Sequence, residues 1–238
     1  MTLQTALVAM MSRPRILLGL DFDGTLAPLV DDPDHATPDP GAWLHVSALT
    51  REESVDVLIL SGRAHADLAE RVGELHGVRL VGEHGNDPGD GAGSAEMGEM
   101  DVLLETLVAR TPGSRVEKKP TSRAFHTRTS PVAAAEEANS ALRDWARGRE
   151  DVRVLEGKDI VELTLGERTK GDVISAVADS YDGVIYIGDD TTDETVFEIL
   201  RKGDIGIKVG EGPTRATFRV TGVAEVAGIL ETMVASLP

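Results

Sequence analysis

The sequence predicts an α/β protein: a parallel-sheet core interrupted by an inserted α+β domain. Short apolar runs alternate with helical stretches at both ends of the chain, and each run ends in Gly and polar residues. Between 86 and 98 the composition shifts to Gly, Asp and Pro, as in a linker. After that stretch the rhythm becomes helix–strand–strand, twice over, before the first pattern returns.

Met1 to Met11 is mildly apolar with no basic residue ahead of it, and reads as a helix leading into the first strand rather than a signal peptide. Ile16–Leu20 is continuously apolar, as expected for a strand covered on both faces, and runs into Asp21-Phe22-Asp23-Gly24-Thr25. Trp43, Val46 and Leu49 recur at helical spacing. Val55–Leu60 is a second buried strand ending in Ser61-Gly62-Arg63. A helix over 64–72 follows, then a short strand at Val78–Val81 ending in Gly82-Glu83-His84-Gly85. Beyond the insert, a helix is expected over 170–181. A buried strand at Val184–Ile187 ends in Gly188-Asp189-Asp190. A helix over 191–200, a strand at 205–209 and a closing helix over 223–237 complete the core. In parallel α/β sheets, ligands bind at the carboxyl ends of the strands, where all these polar residues fall.

The inserted domain is expected at 89–166, with the core at 1–88 and 167–238. Its first helix carries Met100, Leu103, Leu104, Leu107 and Val108 on one face. Strands follow at 115–119 and 123–129. A second helix is expected to start at Ser130 as N-cap, with Pro131 in the first helical position and Ala135, Ala138, Leu142 and Trp145 as its stripe. Strands at 152–156 and 159–165 complete an αββαββ unit. Period-2 alternation places Val116, Phe125, Val161, Leu163 and Leu165 under the helices. The opposite face then presents Glu117, Lys119, His126, Arg128, Lys158 and Glu162, a mixed-charge surface suited to a polar ligand such as a sugar.

Composition narrows the function. There is no cysteine, which excludes disulfides, thiolate catalysis and Cys-ligated zinc. A net charge of −17 disfavours nucleic acid and anionic membrane surfaces as partners. No apolar run reaches the roughly 18 residues of a membrane span. A cytoplasmic monomer is expected.

The chemistry-bearing residues sit at strand and helix ends. A carboxylate at the end of a buried strand needs a cation, so Asp21 is a candidate both for metal binding and for nucleophilic attack on phosphorus. Asp23, two residues on, can protonate the leaving oxygen and later activate water. Ser61 and Arg63 suit phosphoryl oxygens. Lys170 opens a helix, where a cation is unfavourable unless an anion meets it. Asp189, Asp190 and Asp193 with Asp21 form a hard oxygen set that favours Mg2+ over Ca2+. Phosphate-monoester hydrolysis needs accelerations up to about 10²¹. A single general acid supplies only about 10² to 10⁴, so nucleophile, acid, metal and fixed cations are required together.

In order, DFDGT at 21–25, the Ser61 motif, Lys170 and GDDTTDE at 188–194 resemble the haloacid dehalogenase superfamily of phosphatases. With the αββαββ insert, GEHG at 82–85, Glu117-x-Lys119, His126, Arg128, GKDIVEL at 157–163 and Lys170-Gly171, nearly the whole chain resembles the trehalose-6-phosphate phosphatase family. The resemblance implies a haloacid-dehalogenase-like Rossmannoid core with an αββαββ cap. It implies Asp21 as nucleophile, Asp23 as acid/base, and Mg2+ held by Asp21, the Asp23 carbonyl and Asp189. It implies sugar hydroxyls held by Glu117, Lys119 and Glu162, with a phosphorylated disaccharide as substrate. Two positions depart from the family: Thr127 stands where an aromatic residue is common, and 164–169 lacks a frequent proline. The alternative substrates are sucrose 6-phosphate and mannosyl-3-phosphoglycerate.

Overall fold

The computed structural model describes residues 1–30, 32–73, 75–86, 95–166 and 168–237. They form two compact units, Met1–Gly85 with Thr169–Pro238, and Asn86–Arg168.

The chain opens with α1 (Leu3–Met11), N-capped by Thr2. The first half of the core continues through β1 (Ile16–Asp21), α2 (Pro40–Leu49), β2 (Val55–Leu60), α3 (His65–Val72) and β3 (Val78–Val81). Asp39 accepts the Ala42 N–H and Pro40 occupies the first turn, which fixes where α2 starts.

The inserted unit runs α4 (Ala95–Arg110), β4 (Arg115–Lys118), β5 (Ser122–His126), α5 (Val132–Ala146), β6 (Val152–Gly157) and β7 (Ile160–Leu165). Its strands pair antiparallel in the order β4-β5-β7-β6. Phe125, Val161, Leu163, Leu165 and Val152 pack with Met97, Met100, Leu104, Leu107, Ala138 and Leu142 of the helices.

The core resumes with α6 (Lys170–Ala178), β8 (Gly183–Gly188), α7 (Glu194–Ile199), β9 (Ile205–Val209), β10 (Phe218–Val220) and α8 (Val223–Ala235). The sheet is wholly parallel, in the order β10-β9-β8-β1-β2-β3. Alternate β1 residues face opposite ways. Ile16, Leu18 and Leu20 join a core with α1, α2 and α8, whereas Leu17 faces Ile174, Tyr186, Val196 and Phe197. Gly19 lies on the second face, where a Cβ would stand 2.6 Å from the Tyr186 ring, so its missing side chain makes room for that tyrosine.

Several sequence expectations need correction. Of the linker expected over 86–98, residues 87–94 lie outside the described residues, while 95–98 form the first turn of α4 with Met97 buried. Ala, Glu and Met are strong helix formers and outweigh Gly98. Val108 is exposed, because the buried stripe runs Met97, Met100, Leu104, Leu107. Ser130 does not cap α5. Its N–H donates to the Thr127 carbonyl in the turn after β5, and the helix begins at Val132 behind Pro131. The strand expected through Thr129 ends at His126. The helix expected over 191–200 is a single 3-10 turn, Thr191–Asp193, followed by α7. The three-residue edge strand β10 was not anticipated.

Candidate active site

β1 lies between β2 and β8, with Asp21 opposite Leu60 and Leu20 opposite Ile187. That register brings Ser61, one residue past β2, and Asp189, one residue past β8, beside Asp21. Asp21 is 5% exposed. Lys170, the first residue of α6, donates to Asp21 Oδ1 (2.7 Å) and Asp193 Oδ1 (2.8 Å). Thr169 and Asp172 form a capping box that fixes this helix start. Asp193 is fully buried. Its Oδ1 also accepts from the Tyr186 hydroxyl (2.6 Å) and its Oδ2 from the Asp190 N–H (2.9 Å). The ammonium therefore sits between two carboxylates, one of which is clamped from behind.

Electrostatics follow from this burial. Desolvation alone would lower the Lys170 ammonium, but Asp193 and Asp21 outweigh it and hold it above its ordinary value. Burial raises Asp21 well above the usual carboxylate range. Lys170 pulls it back, while Asp193 and Asp189 push it further up. Burial and then Asp193 push Asp189 up to about 6, against the opposing effect of its Asp21 hydrogen bond. Oxygens of Asp21, Asp189 and Asp193 lie within 4.8 Å of one another. Two of these groups are thus driven toward protonation by burial first and by mutual repulsion second, and a hard divalent cation on carboxylate oxygens would offset both.

Asp190, expected among the metal ligands, is instead exposed. Its Oδ1 accepts the Thr191 N–H (2.6 Å) as the cap of the following turn. Gly24, at φ +76°, lies where a Cβ would be 2.0 Å from Asp189 Oδ2, so only glycine admits that carboxylate. Lys208 of β9 is buried and its Nζ donates to the Asp189 carbonyl. Sequence reasoning missed Lys208 and Tyr186. Each is a polar side chain inside an otherwise apolar strand, IGIKV and GVIYIG, and that was the available signal.

Arg63 was expected on phosphate. It instead grips Asp23, donating from Nε to Oδ2 and from Nη2 to Oδ1, both at 2.7 Å. Among the described residues the carboxylate cluster comprises Asp21, Asp189 and Asp193, without the Asp23 side chain. Ser61 Oγ accepts the Arg63 N–H (3.1 Å), so its own proton remains available to donate. Behind it, Glu83 and His84 adopt left-handed backbone (φ +51° and +56°), and the His84 N–H donates to the Ser61 carbonyl (3.0 Å). A Cβ on Gly62 would stand 2.4 Å from the His84 ring, which explains glycine between Ser61 and Arg63.

In the inserted unit, Glu117 on β4, His126 on β5 and Glu162 on β7 come together on one face with Lys119, one residue past β4. Lys119 Nζ donates to both oxygens of Glu162 (3.0 and 3.1 Å), and the Ser122 hydroxyl donates to Glu162 Oε1. His126 Nε2 donates to Glu117 Oε2 (3.1 Å). That bond first, then Lys119, outweigh burial and hold the Glu117 carboxyl at about 2. Arg128 and Lys158 are not on the sheet. Arg128 follows β5 in a turn, with Nε 4.0 Å from Asp159 Oδ2, and Lys158 is exposed in the hairpin turn between β6 and β7. Strand alternation fails at these two positions because the strands have already ended. Thr127 is buried and donates from N and Oγ1 to the Asp159 carbonyl (2.8 and 3.2 Å).

A family model described as trehalose-phosphatase matches residues 19–224. The chain is 35% identical, over 91% of its length, to the bifunctional trehalose-6-phosphate synthase/phosphatase of Thermoproteus tenax, and spans 32% of that protein. It is 33% identical over 90% of its length to the trehalose-phosphate phosphatase of Mycobacterium marinum, and spans 60% of it. Its fold is similar to that of the C-terminal domain of C. albicans trehalose-6-phosphate phosphatase, with a TM-score of 0.86 at 24% identity, covering 98% of this chain and 97% of that one. A parallel core interrupted by a separate antiparallel unit is a haloacid-dehalogenase-like fold, and the chain belongs to the trehalose-phosphatase family.

Proposed function

We propose that the protein is a Mg2+-dependent phosphatase that hydrolyses trehalose 6-phosphate to trehalose and phosphate through an aspartyl-phosphate on Asp21. The observation that carries this reading is the Lys170 ammonium fixed on Asp21 Oδ1 at the end of the central strand. With Oδ1 engaged, Oδ2 is the oxygen left to attack phosphorus, and Lys170 is placed to neutralise charge on the phosphoryl group.

Asp21 attacks phosphorus, the bond to the sugar oxygen breaks, and Asp23 gives that oxygen its proton. Water then attacks the acyl phosphate and Asp23 takes the water's proton, restoring both groups. Ser61 donates to a phosphoryl oxygen. Asp21, Asp189 and the Asp23 carbonyl would hold Mg2+, which when bound supplies charge neutralisation between the nucleophile and an anionic ester. Lys208 keeps the Asp189 peptide oriented from behind. Glu117, Lys119 and Glu162 hold sugar hydroxyls. Support for this last role comes from their pre-set pairing, in which His126 and Ser122 orient the two carboxylates.

The test is phosphate release from trehalose 6-phosphate, sucrose 6-phosphate, mannosyl-3-phosphoglycerate and glucose 6-phosphate, with Mg2+ or EDTA, for wild type and Asp21→Asn. Mg2+-dependent release, greatest from trehalose 6-phosphate and abolished in the variant, is expected. Activity confined to another ester would overturn the substrate, and undiminished activity of the variant would overturn the mechanism.

A further inference from the structure

Behind Asp23 lies a chain of charged side chains that the proposed chemistry does not touch. Arg63, besides its two bonds to Asp23, donates from Nη2 to the Pro33 carbonyl (3.0 Å) and from Nη1 to Asp67 Oδ2 (2.8 Å). The other oxygen of Asp67 accepts from Arg71 Nη2 (2.7 Å). Arg71 Nη1 reaches the carbonyls of Asp34 (2.9 Å) and Ala36 (3.1 Å), and its Nη2 lies 3.6 Å from Asp34 Oδ1. Asp67 and Arg71 are one turn apart on α3 and so share a face.

This is not an ordinary surface ion pair, which contributes about 0–1 kcal/mol. The side chains of Arg63 and Arg71 are 9% and 12% exposed. Arg63 is held by two carboxylates and one backbone carbonyl, and Arg71 by the Asp67 carboxylate and two backbone carbonyls, which fixes each plane as well as each charge. Asp67 stays below the usual carboxylate range: burial would raise it, but the bonds from Arg71 and Arg63 prevail.

We propose that Asp67 and Arg71 are positioning residues for the reaction, fixing the plane of Arg63 and through it the Asp23 carboxyl group that protonates the leaving oxygen. The inference rests on the reading of Asp23 as the acid. A guanidinium gripped by Asp23 alone would turn with it. Bracing at Nη1 by Asp67 and at Nη2 by Pro33 stops that motion, and Arg71 holds both Asp67 and the 33–36 loop in place. A general acid must lie within about 3 Å of the oxygen it serves. A misplacement of about 1 Å can cost roughly 100-fold.

Leaving groups provide the test. kcat/KM reports the steps through departure of the alcohol. A sugar alkoxide needs a proton to leave, whereas p-nitrophenolate does not. Asp67→Asn, Arg71→Gln and Asp23→Asn are compared with wild type on p-nitrophenyl phosphate and on the sugar phosphate that wild type turns over best. Expected is a fall of about 10- to 100-fold on the sugar ester for Asp67→Asn and Arg71→Gln, with no more than about 3-fold on p-nitrophenyl phosphate. Asp23→Asn should show the same selectivity more strongly. Equal losses on both esters, or none, in Asp67→Asn and Arg71→Gln would overturn the inference while Asp23→Asn stays selective. A non-selective Asp23→Asn would instead overturn the reading of Asp23. Should Asp67→Asn fail to fold, Arg71→Gln probes the same contact while leaving Asp67 on Arg63.

Discussion

Protons and a divalent cation should compete for the aspartate cluster. Asp189 is raised from its ordinary 3.8 to about 6, and Asp21 moves in the same direction. Between those two values the folded protein binds more protons than the unfolded chain, so stability falls as pH rises through the window, and the cost is complete above about 6. A shift of roughly two units at 1.36 kcal/mol per unit is about 3 kcal/mol, reduced to about 2 kcal/mol because Asp189 is partly exposed. In a protein of this size that is about 4–8 °C of melting temperature. The measurement is the melting temperature of EDTA-treated protein from pH 4.5 to 8, repeated with millimolar Mg2+, for wild type and Asp189→Asn. Wild type should gain several degrees from Mg2+ at pH 7.5 and little at pH 5, and the variant should gain little at either. Equal Mg2+ gains at both pH values in wild type, or undiminished gains in the variant, would refute the argument.

Other perturbations have defined outcomes. Tyr186→Phe removes the hydroxyl bond to Asp193. Denaturant unfolding should show a loss of about 2 kcal/mol, the range for bonds to charged groups, and kcat should fall as Lys170 loosens. Gly24→Ala puts a methyl into the space of Asp189 Oδ2 at a left-handed position. Calorimetric titration should find Mg2+ binding weakened at least about tenfold, with about 1–2 kcal/mol of backbone strain in addition. Glu162→Gln breaks the paired bonds from Lys119. Steady-state kinetics should give a KM for the sugar ester higher by about tenfold, with p-nitrophenyl phosphate unaffected.

The parts of the fold set by periodicity were legible in the sequence. β1, β2 and β8 read as near-continuous apolar runs, and in the inserted unit Val161, Leu163 and Leu165 alternate with Glu162 and Thr164. Alternation misled at Arg128 and Lys158, because it says nothing about where a strand stops. β10 escaped notice because three residues, one of them arginine, carry no period. In the site, Asp21, Lys170 and Asp189 were readable from the strand and helix ends they occupy. The partner of Arg63 was not: its grip on Asp23 depends on two loops 40 residues apart meeting, and position in sequence does not encode which anion a guanidinium will find. Asp190 and Asp193 looked alike in sequence, yet one caps a turn in solvent and the other is fully buried against Lys170.

The place of β1 in the sheet has a consequence for biosynthesis. β1 pairs with β2 on one side and with β8 on the other, and the Asp21–Lys170 bond joins residues 149 positions apart. At about 5–20 residues per second, roughly 7–30 s of translation separate them. Until β8 is made, β1 keeps a hydrogen-bonding edge open even after β2 has paired with it, an edge of the kind that templates association between nascent chains. The inserted unit, whose four strands pair with one another, can close its own core while the ribosome is still delivering the second half of the parallel sheet. A trigger-factor-like holdase that covers the Ile16–Asp21 edge should therefore raise the yield of folded protein, and slowing translation between 22 and 183 should lower it.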